Sequence, residues 1–172
     1  EIKLYKDILT SEEFNKLNTH LMSNYYPWYY YNKSIKHDGI ENDFMFVHTL
    51  YEYNVGINSP EFENILPLLT KVSAHIGPKH SELLRIKANL YTNRGECITH
   101  KEHTDYPDLE DYTTAVYNLT TCNGGTLFYL EDKELFKRST SNTLLVFDGN
   151  TRHSGITQDD TEIRLLVNFD FK

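Results

Sequence analysis

Two histidines and one aspartate in the C-terminal half have the residue types and spacing of a metal site. His103 and Asp105 are two positions apart, and in an extended strand residues i and i+2 point to the same side. His153 supplies a second imidazole from a distant part of the chain. Two imidazoles and one carboxylate on one face of an octahedral ion leave three positions open, as in non-haem Fe(II) oxygenases. The sequence therefore predicts an iron site that can also bind a chelating cosubstrate and O2.

Arg164 would complete this site from a position deeper in the same cavity. It follows His153 across a turn that returns the chain antiparallel, so its side chain can point into the same cavity. A guanidinium there would hold a dicarboxylate by a forked pair of hydrogen bonds. The arrangement suits 2-oxoglutarate, whose 1-carboxylate and keto oxygen would chelate the metal. Tyr91 and Asn118 lie on flanking predicted strands and are candidates for neutral hydrogen bonds to the same cosubstrate.

Other residues of the sequence allow other metal assignments. His100 and Glu102 form a second His-x-acid pair, which would supply the ligands in a shifted register, although a polar rim position is the simpler interpretation of His100. Two histidines and a carboxylate also suit a zinc hydrolase, and Arg164 is what favours the oxygenase. The remaining histidines lack partners at ligand spacing and are expected at the surface or in capping positions: His20, His37, His48, His75 and His80.

Three residues near the predicted cavity are candidates for contacting a substrate. Trp28 belongs to the aromatic run of residues 25–31, which is either core or a surface that stacks on a proline ring or a peptide. Tyr106 directly follows the ligand pair. Arg152 precedes the second histidine and is either a solvated charge or a contact for an acidic group. The acidic loop of residues 108–111 is either a solvated turn or a lid over the iron.

The N-terminal part of the chain combines two predicted helices with extended segments. Thr10 and Glu13 have capping-box spacing ahead of an apolar three-four repeat, which predicts a helix start. Pro60 opens a second predicted helix with one apolar face, and Gly77 ends it. Pro67 inside this span predicts either a kink or a late start. The predicted extended segments are residues 25–31 and 44–48.

From residue 83 onward the sequence is typical of short strands separated by turns. Apolar and polar residues alternate along segments that end at Asn- and Gly-containing turns. These segments are residues 84–91, 113–119, 126–130, 143–147 and 162–169. The pattern predicts a mainly β, α+β fold: an antiparallel jelly roll with the N-terminal helices packed on one sheet. We expect one domain over residues 1–172, with a mixed helical support region at 1–82 and the catalytic core at 83–172.

Composition limits the classes of protein to which the chain can belong. Its 172 residues suffice to bury a core, and 13 Tyr, 9 Phe and 1 Trp supply large side chains for it. The net charge of -8 argues against a large nucleic-acid partner. Cys97 and Cys122 cannot form a disulfide framework, and no apolar run is long enough to span a membrane. We expect a cytoplasmic monomer without a signal peptide or a membrane partner.

Several motifs follow one another in a fixed order: residues 103–107, 115–119, 124–128, 145–149, 153–155 and 164–169. Together they closely resemble the Fe(II)/2-oxoglutarate-dependent dioxygenases, in particular the prolyl 4-hydroxylase-like branch. The resemblance covers roughly residues 84–172, and residues 27–30 are similar to compact members encoded by marine bacteriophages. It implies a double-stranded β-helix with His103, Asp105 and His153 as iron ligands and Arg164 as the 2-oxoglutarate anchor. Collagen-type prolyl 4-hydroxylases use Lys at the anchor, so the sequence departs from them there.

The same resemblance implies an activity. The expected enzyme hydroxylates an unactivated C–H bond with Fe(II), 2-oxoglutarate and O2, releases succinate and CO2, and uses ascorbate as a reductant. A peptidyl proline or another amino-acid residue is the leading substrate, and a nucleobase or small metabolite is the alternative. A non-catalytic jelly-roll binding module is a third hypothesis, against which the intact ligand set argues. If the chain is phage-encoded, its expected location is the host-cell cytoplasm.

Overall fold

The computed structural model describes residues 1–32 and 43–172, and within these residues the chain forms eleven strands and two helices. His37 lies outside the described residues. The helices are α1 (Ser11–Leu21) and α2 (Phe62–Ile76). The strands are β1 (Lys3–Lys6), β2 (Tyr29–Asn32), β3 (Phe44–Glu52), β4 (Gly56–Ile57), β5 (Leu83–Thr92), β6 (Thr113–Asn118), β7 (Gly125–Tyr129), β8 (Glu134–Arg138), β9 (Thr143–Asp148), β10 (His153–Ile156) and β11 (Ile163–Phe171).

The described strands form two antiparallel sheets that pack face to face. The larger sheet has the order β1-β9-β6-β11-β5-β3-β2, with β4 paired to β3, and the smaller sheet has the order β10-β7-β8. Phe128 of the smaller sheet meets Phe147 of the larger sheet edge to face, with ring centroids 4.9 Å apart. The predicted jelly roll with helices on one sheet is confirmed.

The start of α1 and both ends of α2 lie at or close to residues that the sequence marks for these positions. Thr10 caps α1, because its side chain accepts a hydrogen bond from the Glu13 backbone while the Glu13 carboxylate accepts one from the Thr10 backbone. Helix α2 begins at Phe62, shortly after Pro60, and continues through Pro67. It ends at Gly77, whose φ of 86° is a conformation that side-chain-bearing residues rarely adopt.

Alternation along the central strands builds two separate interior layers. On β11, the odd-numbered residues from Ile163 to Phe171 pack with the helices, as Leu68 and Val72 of α2 show. The even-numbered residue Leu166 instead packs between the two sheets with residues such as Phe128. Successive residues of a strand point to opposite faces, so one face of β11 stabilises the helical layer and the other faces the space between the sheets.

The N-terminal region supplies strands as well as helices to this fold. The predicted extended segments correspond to β2 and β3, and β3 pairs with β5 on one side and with β2, at the edge of the larger sheet, on the other. Strands β1, β4, β8 and β10 lie outside the predicted strand segments. In the part of the chain that the structure describes, no helix combines the length and apolar character needed to cross a membrane.

Candidate metal centre and adjoining cavity

The fold brings the two predicted histidine ligands side by side. His103 lies in the loop after β5 and His153 is the first residue of β10, and the two form an isolated antiparallel bridge. Each backbone N–H donates to the carbonyl of the other residue at 3.0 Å. Their ring centroids are 4.7 Å apart. The backbone bridge thus fixes the spacing of two imidazoles from distant parts of the sequence.

Both rings are held in the tautomer that a metal requires. Nδ1 of His103 lies 3.0 Å from the carbonyl of Lys101, and Nδ1 of His153 lies 2.9 Å from the carbonyl of Thr151. A carbonyl oxygen only accepts hydrogen bonds, so Nδ1 carries the proton in each ring. The Nε2 lone pair of each ring is then available to a metal. Metal-binding histidines usually donate their other ring N–H to a carbonyl or carboxylate in this way.

Asp105 supplies the third donor group. Its Oδ2 is buried without a hydrogen-bond partner and lies 3.6 Å from His153 Nε2. Adjacent ligands of an octahedral ion with bonds of roughly 2.1 Å are about 3 Å apart. As they stand, no three described His, Cys, Asp or Glu side chains converge closely enough to enclose an ion. Two imidazoles and one carboxylate are nevertheless the donor types that suit Fe(II), and these three residues would hold it if they moved closer together.

Electrostatics keep these donors in their metal-binding protonation states. Burial tends to raise the pKa of Asp105, but Arg85 and the two imidazoles outweigh it and hold this pKa below its usual range. Burial lowers the pKa of His153, although Asp105 opposes the shift. Near neutral pH the site therefore presents a carboxylate and, at His153, a neutral imidazole.

Arg164 is a buried cation at the other end of the same region. Its residue surface is 1% exposed, and burial lowers its pKa. Nη1 donates to the carbonyl of Ile156 at 3.1 Å, while Nε has no hydrogen-bond partner. Among the described residues no carboxylate forms an ion pair with it. A buried guanidinium without such a partner is costly, so the site favours an anionic ligand.

The space in front of Arg164 is kept open by a glycine. A Cβ built on Gly155 would lie 3.5 Å from His100 Nδ1, 3.8 Å from the Tyr91 hydroxyl and 3.9 Å from Arg164 Nη1. Three polar side chains thus surround one small gap. Gly155 is two residues after His153 on β10, so it shares the face that carries the imidazole.

A cavity of about 550 Å³ extends from His103 and Asp105 to Gly155, beside this gap, whereas His153 and Arg164 do not line it. Its wall combines polar and charged side chains with Tyr31, Met45, Tyr91 and Pro107. The lining residues are Tyr31, Met45, Arg85, Lys87, Asn89, Tyr91, His100, Lys101, Glu102, His103, Thr104, Asp105, Pro107, Gly155 and Asn168. Its volume is sufficient for a small cosubstrate together with part of a substrate.

The remaining predicted cosubstrate and substrate residues lie elsewhere. Asn118 is buried, and its amide is already hydrogen-bonded to Ser139 and weakly to Thr143, at 3.5 Å. Trp28 packs against the helical layer, and its Nε1 donates to the carbonyl of Leu21 at 3.2 Å. The structure therefore does not bring Asn118 or Trp28 into the cavity wall.

The two candidate residues nearest the loop have partners of their own. Arg152 is paired with Glu102, with Nε and Oε1 2.5 Å apart, at the exposed surface. Tyr106 packs edge to face on Tyr112 and lies under the guanidinium of Arg85. In the acidic loop, Asp111 contacts Lys79 and His80. Neither Arg152 nor Tyr106 lines the cavity.

Two buried residues of the site have positions that the sequence did not predict. Arg85, which was not among the predicted site residues, joins Asp105 to Asp170. His100 was expected at the rim but is only 4% exposed, stacks on Tyr91 and lies 3.2 Å from Asp43. A basic residue at an inward position of an otherwise alternating strand is a signal for Arg85, whereas no local pattern indicated the burial of His100.

Comparisons with known proteins agree with this architecture. No family model and no curated protein sequence matches the chain. A solved 2OG-Fe(II) oxygenase family oxidoreductase from Burkholderia pseudomallei has a TM-score of 0.75 at 14% identity, over 99% of this chain and 84% of that one. A Trichoplax adhaerens prolyl hydroxylase in complex with a hypoxia-inducible-factor peptide has a TM-score of 0.71 at 15% identity, over 99% of this chain and 82% of that one. The non-haem α-ketoglutarate-dependent epimerase SnoN has a TM-score of 0.70 at 13% identity, over 99% of this chain and 77% of that one.

These identities are low, so the likeness concerns the fold. It spans nearly the whole of this chain in each case. The resemblance read from the sequence motifs and the likeness in three dimensions agree with each other. The chain therefore has the jelly-roll fold of the 2OG-Fe(II) oxygenases.

Proposed function

We propose that this protein is an Fe(II)- and 2-oxoglutarate-dependent dioxygenase that hydroxylates an unactivated C–H bond. The observation that carries the proposal is that two incomplete sites lie beside one cavity, which His103, Asp105 and Gly155 line. One is the set of three metal donors, and the other is the buried guanidinium of Arg164, for which no described carboxylate is a partner. A metal ion and a dicarboxylate would satisfy both sites together.

Each residue has a defined part in this proposal. His103 and His153 hold the metal through their Nε2 atoms, and Asp105 holds it through Oδ2. Arg164 binds the far carboxylate of 2-oxoglutarate, and the Tyr91 hydroxyl beside Gly155 is placed to donate to it. When bound, Fe(II) supplies the O2 activation that couples oxidative decarboxylation of the cosubstrate to hydroxylation. The protein orients the reactants and excludes water from the cavity.

A peptidyl proline or another amino-acid residue is the proposed substrate. The prolyl hydroxylase from Trichoplax adhaerens, which is similar in fold and holds a peptide, supports a peptide as the ligand. A nucleobase or small metabolite is the alternative within the same chemistry. We further propose ascorbate as the reductant and a monomeric cytoplasmic protein. Incubation with a peptide library, followed by mass spectrometry for the gain of one oxygen atom, distinguishes a peptide substrate from a metabolite.

Turnover without substrate gives the first test of the enzyme class. Purified protein with Fe(II), 2-oxoglutarate and ascorbate is expected to release succinate. The variants His103→Ala and Asp105→Ala are expected to lose this activity, because each removes a metal donor. Arg138→Gln is a control, since Arg138 is an exposed residue of β8 that pairs with Asp160. Absence of both succinate and Mn(II) binding in the wild type would favour a non-catalytic binding module.

Arg164→Ala separates the cosubstrate site from the metal site. The variant is expected to raise the 2-oxoglutarate concentration needed for half-maximal succinate release by about a hundredfold, as loss of a charged hydrogen-bond donor implies. Mn(II) binding without 2-oxoglutarate should change little. If Mn(II) binding is lost instead while the variant stays folded, the anchor role assigned to Arg164 is wrong.

A further inference from the structure

Arg85 connects the metal-site carboxylate to a second, fully buried carboxylate. Its Nη2 lies 2.5 Å from Asp105 Oδ1 and 2.9 Å from Asp170 Oδ2, and its Nε donates to Asp170 Oδ2 at 3.0 Å. The side chain of Asp170 has no exposed surface and that of Arg85 is 16% exposed. One guanidinium thus has two anionic partners in the interior of the protein.

The fold holds this guanidinium rigidly. Arg85 on β5 is paired in register with Asp170 on β11, and Asp170 is paired in turn with Thr114 on β6. The Thr114 hydroxyl donates to Asp170 Oδ1 at 2.8 Å, so both Asp170 oxygens are hydrogen-bonded. On its open side the guanidinium lies 5.2 Å from the ring centroid of Tyr106. Three neighbouring strands therefore determine where the Arg85 fork points.

The consequence for Asp105 is that its two oxygens have different environments. Oδ1 accepts from Arg85, whereas Oδ2 has no hydrogen-bond partner and faces His153. A carboxylate that was free to rotate could offer both oxygens to a metal ion. It would then occupy one of the three positions that a chelating cosubstrate and O2 need.

We infer that Arg85, supported by Asp170, is a positioning residue that makes Asp105 a one-oxygen metal ligand and keeps the neighbouring coordination position open. This inference rests on the proposed function, because it assumes that a metal binds at Asp105. Arg85 also offsets part of the local negative charge. Together with Asp105 and Asp170 it leaves a net charge of one negative unit beside the imidazoles, which favours a divalent cation.

A purely structural ion pair would behave differently from a positioning pair. Loss of a buried ion pair lowers the stability of the fold, but it need not alter a metal site in the molecules that remain folded. Loss of a positioning group changes the affinity and the ligand geometry of the metal in folded protein. Partners of this kind typically change metal affinity by about 10–100-fold.

The test uses Mn(II) and Co(II) on purified full-length protein, so that no turnover is needed. The variants are Arg85→Gln, Arg85→Lys and Asp170→Asn, and Arg138→Gln is the matched control on the exposed pair with Asp160. Circular dichroism identifies the variants that stay folded. Mn(II) affinity is measured by the electron paramagnetic resonance of the free ion, and Co(II) coordination by the visible absorption spectrum.

Arg85→Gln is expected to weaken Mn(II) binding by about 10–100-fold and to change the Co(II) spectrum. Arg85→Lys should fall between Arg85→Gln and wild type, because a lysine retains the charge but not the fork. Asp170→Asn keeps Arg85 and its contact with Asp105, so it should have a smaller effect in the same direction. If Arg85→Gln does not fold, Asp170→Asn still tests whether Asp170 positions Asp105 through Arg85.

Two outcomes would overturn the inference, and they are distinguishable. In the first, Arg85→Lys and Asp170→Asn fold and keep the Mn(II) affinity and the Co(II) spectrum of the wild type. The Arg85–Asp170 pair would then have only a structural role, and the proposed function would be unaffected. Failure of the wild-type protein itself to bind Mn(II) or Co(II) would overturn the proposed function, and this inference would fall with it.

Discussion

The two faces of strands β5 and β11 differ in polarity although they belong to the same two strands. The face toward the helices carries apolar side chains such as Ile86, Val167 and Phe169, all with 0% exposed surface. The opposite face, toward the cavity, carries the polar or charged side chains of Arg85, Asn89, Tyr91, Arg164, Asn168 and Asp170. Strand alternation alone separates these two sets.

This difference shows how a small domain supports a polar cavity. Hydrophobic burial on the helix-facing side stabilises the sheet, while the cavity side contains buried charges that are costly to desolvate. We therefore expect substitutions on the helix-facing side to change stability and those on the cavity side to change binding. Substitutions on each face can test that division.

Phe169→Ala is expected to have the largest effect on stability. Phe169 is completely buried in the helix-facing layer, and truncation of such a side chain typically costs about 3–5 kcal/mol in the free energy of unfolding. Urea denaturation measures this loss. Phe136→Ala is the matched control, because Phe136 on β8 is 42% exposed and should cost far less.

The same variant also tests whether the two faces are independent. In the fraction of Phe169→Ala that stays folded, Mn(II) and 2-oxoglutarate affinities should equal those of the wild type. A clear loss of either affinity in folded protein would show that the helical layer and the cavity are energetically coupled through β11.

Gly155→Ala is the converse substitution, with an effect on binding and little on stability. The added methyl group would have ordinary contact distances to its neighbours, between 3.5 and 3.9 Å, so the empty protein can accept it. It would, however, occupy the gap in front of Arg164. We expect about tenfold weaker 2-oxoglutarate binding, in line with a cost of about 1–3 kcal/mol for overpacking a site.

Calorimetric titration of Gly155→Ala with 2-oxoglutarate, in the presence of Mn(II), measures this effect. Titration with Mn(II) alone is the internal control and should be unchanged, because no metal donor is altered. Gly155→Val should weaken 2-oxoglutarate binding further. Wild-type 2-oxoglutarate affinity in both variants would mean that the cosubstrate does not lie in this gap.

The proximity of His103, Asp105 and His153 could be expected in part from sequence. The i, i+2 spacing predicted His103 and Asp105 on one side of a strand, whereas the structure places them in the loop after β5, where the bridge to His153 sets the position of His103. The capping pattern at Thr10 fixes the start of α1 locally. The alternation of apolar and polar residues likewise indicated the central strands of the C-terminal half.

The rest of the site depends on strand pairing, which the sequence does not specify locally. Arg85 meets Asp105 and Asp170 only because β5 and β11 pair in one particular register. Trp28 is a second example, since its aromatic run allowed either a core position or a substrate contact, and only the structure shows that it packs against the helical layer. Contacts between distant segments therefore had to come from the structure.

His48 provides the smallest and most specific test, on the helix-facing side. This histidine of β3 is 3% exposed, and its ring centroid lies 5.2 Å from that of Tyr26 and 5.4 Å from that of Tyr29. Burial lowers the pKa of His48, although Glu61 and the Pro27 backbone oppose the shift. The folded protein therefore resists protonation that the unfolded chain accepts near the ordinary histidine pKa of about 6.5.

The sign of the pH dependence follows from this shift. The stability that His48 contributes is fully present well above about pH 6.5 and is lost as the pH falls from there toward the lower pKa of the folded state. In metal-free protein, the free energy of unfolding should therefore decrease less on acidification in His48→Gln than in the wild type. Urea denaturation across this pH range, with a chelator present, measures the difference. Identical pH dependence in the two proteins would mean that the buried ring accepts a proton without cost, and that this part of the helix-facing layer is more polar than its aromatic neighbours indicate.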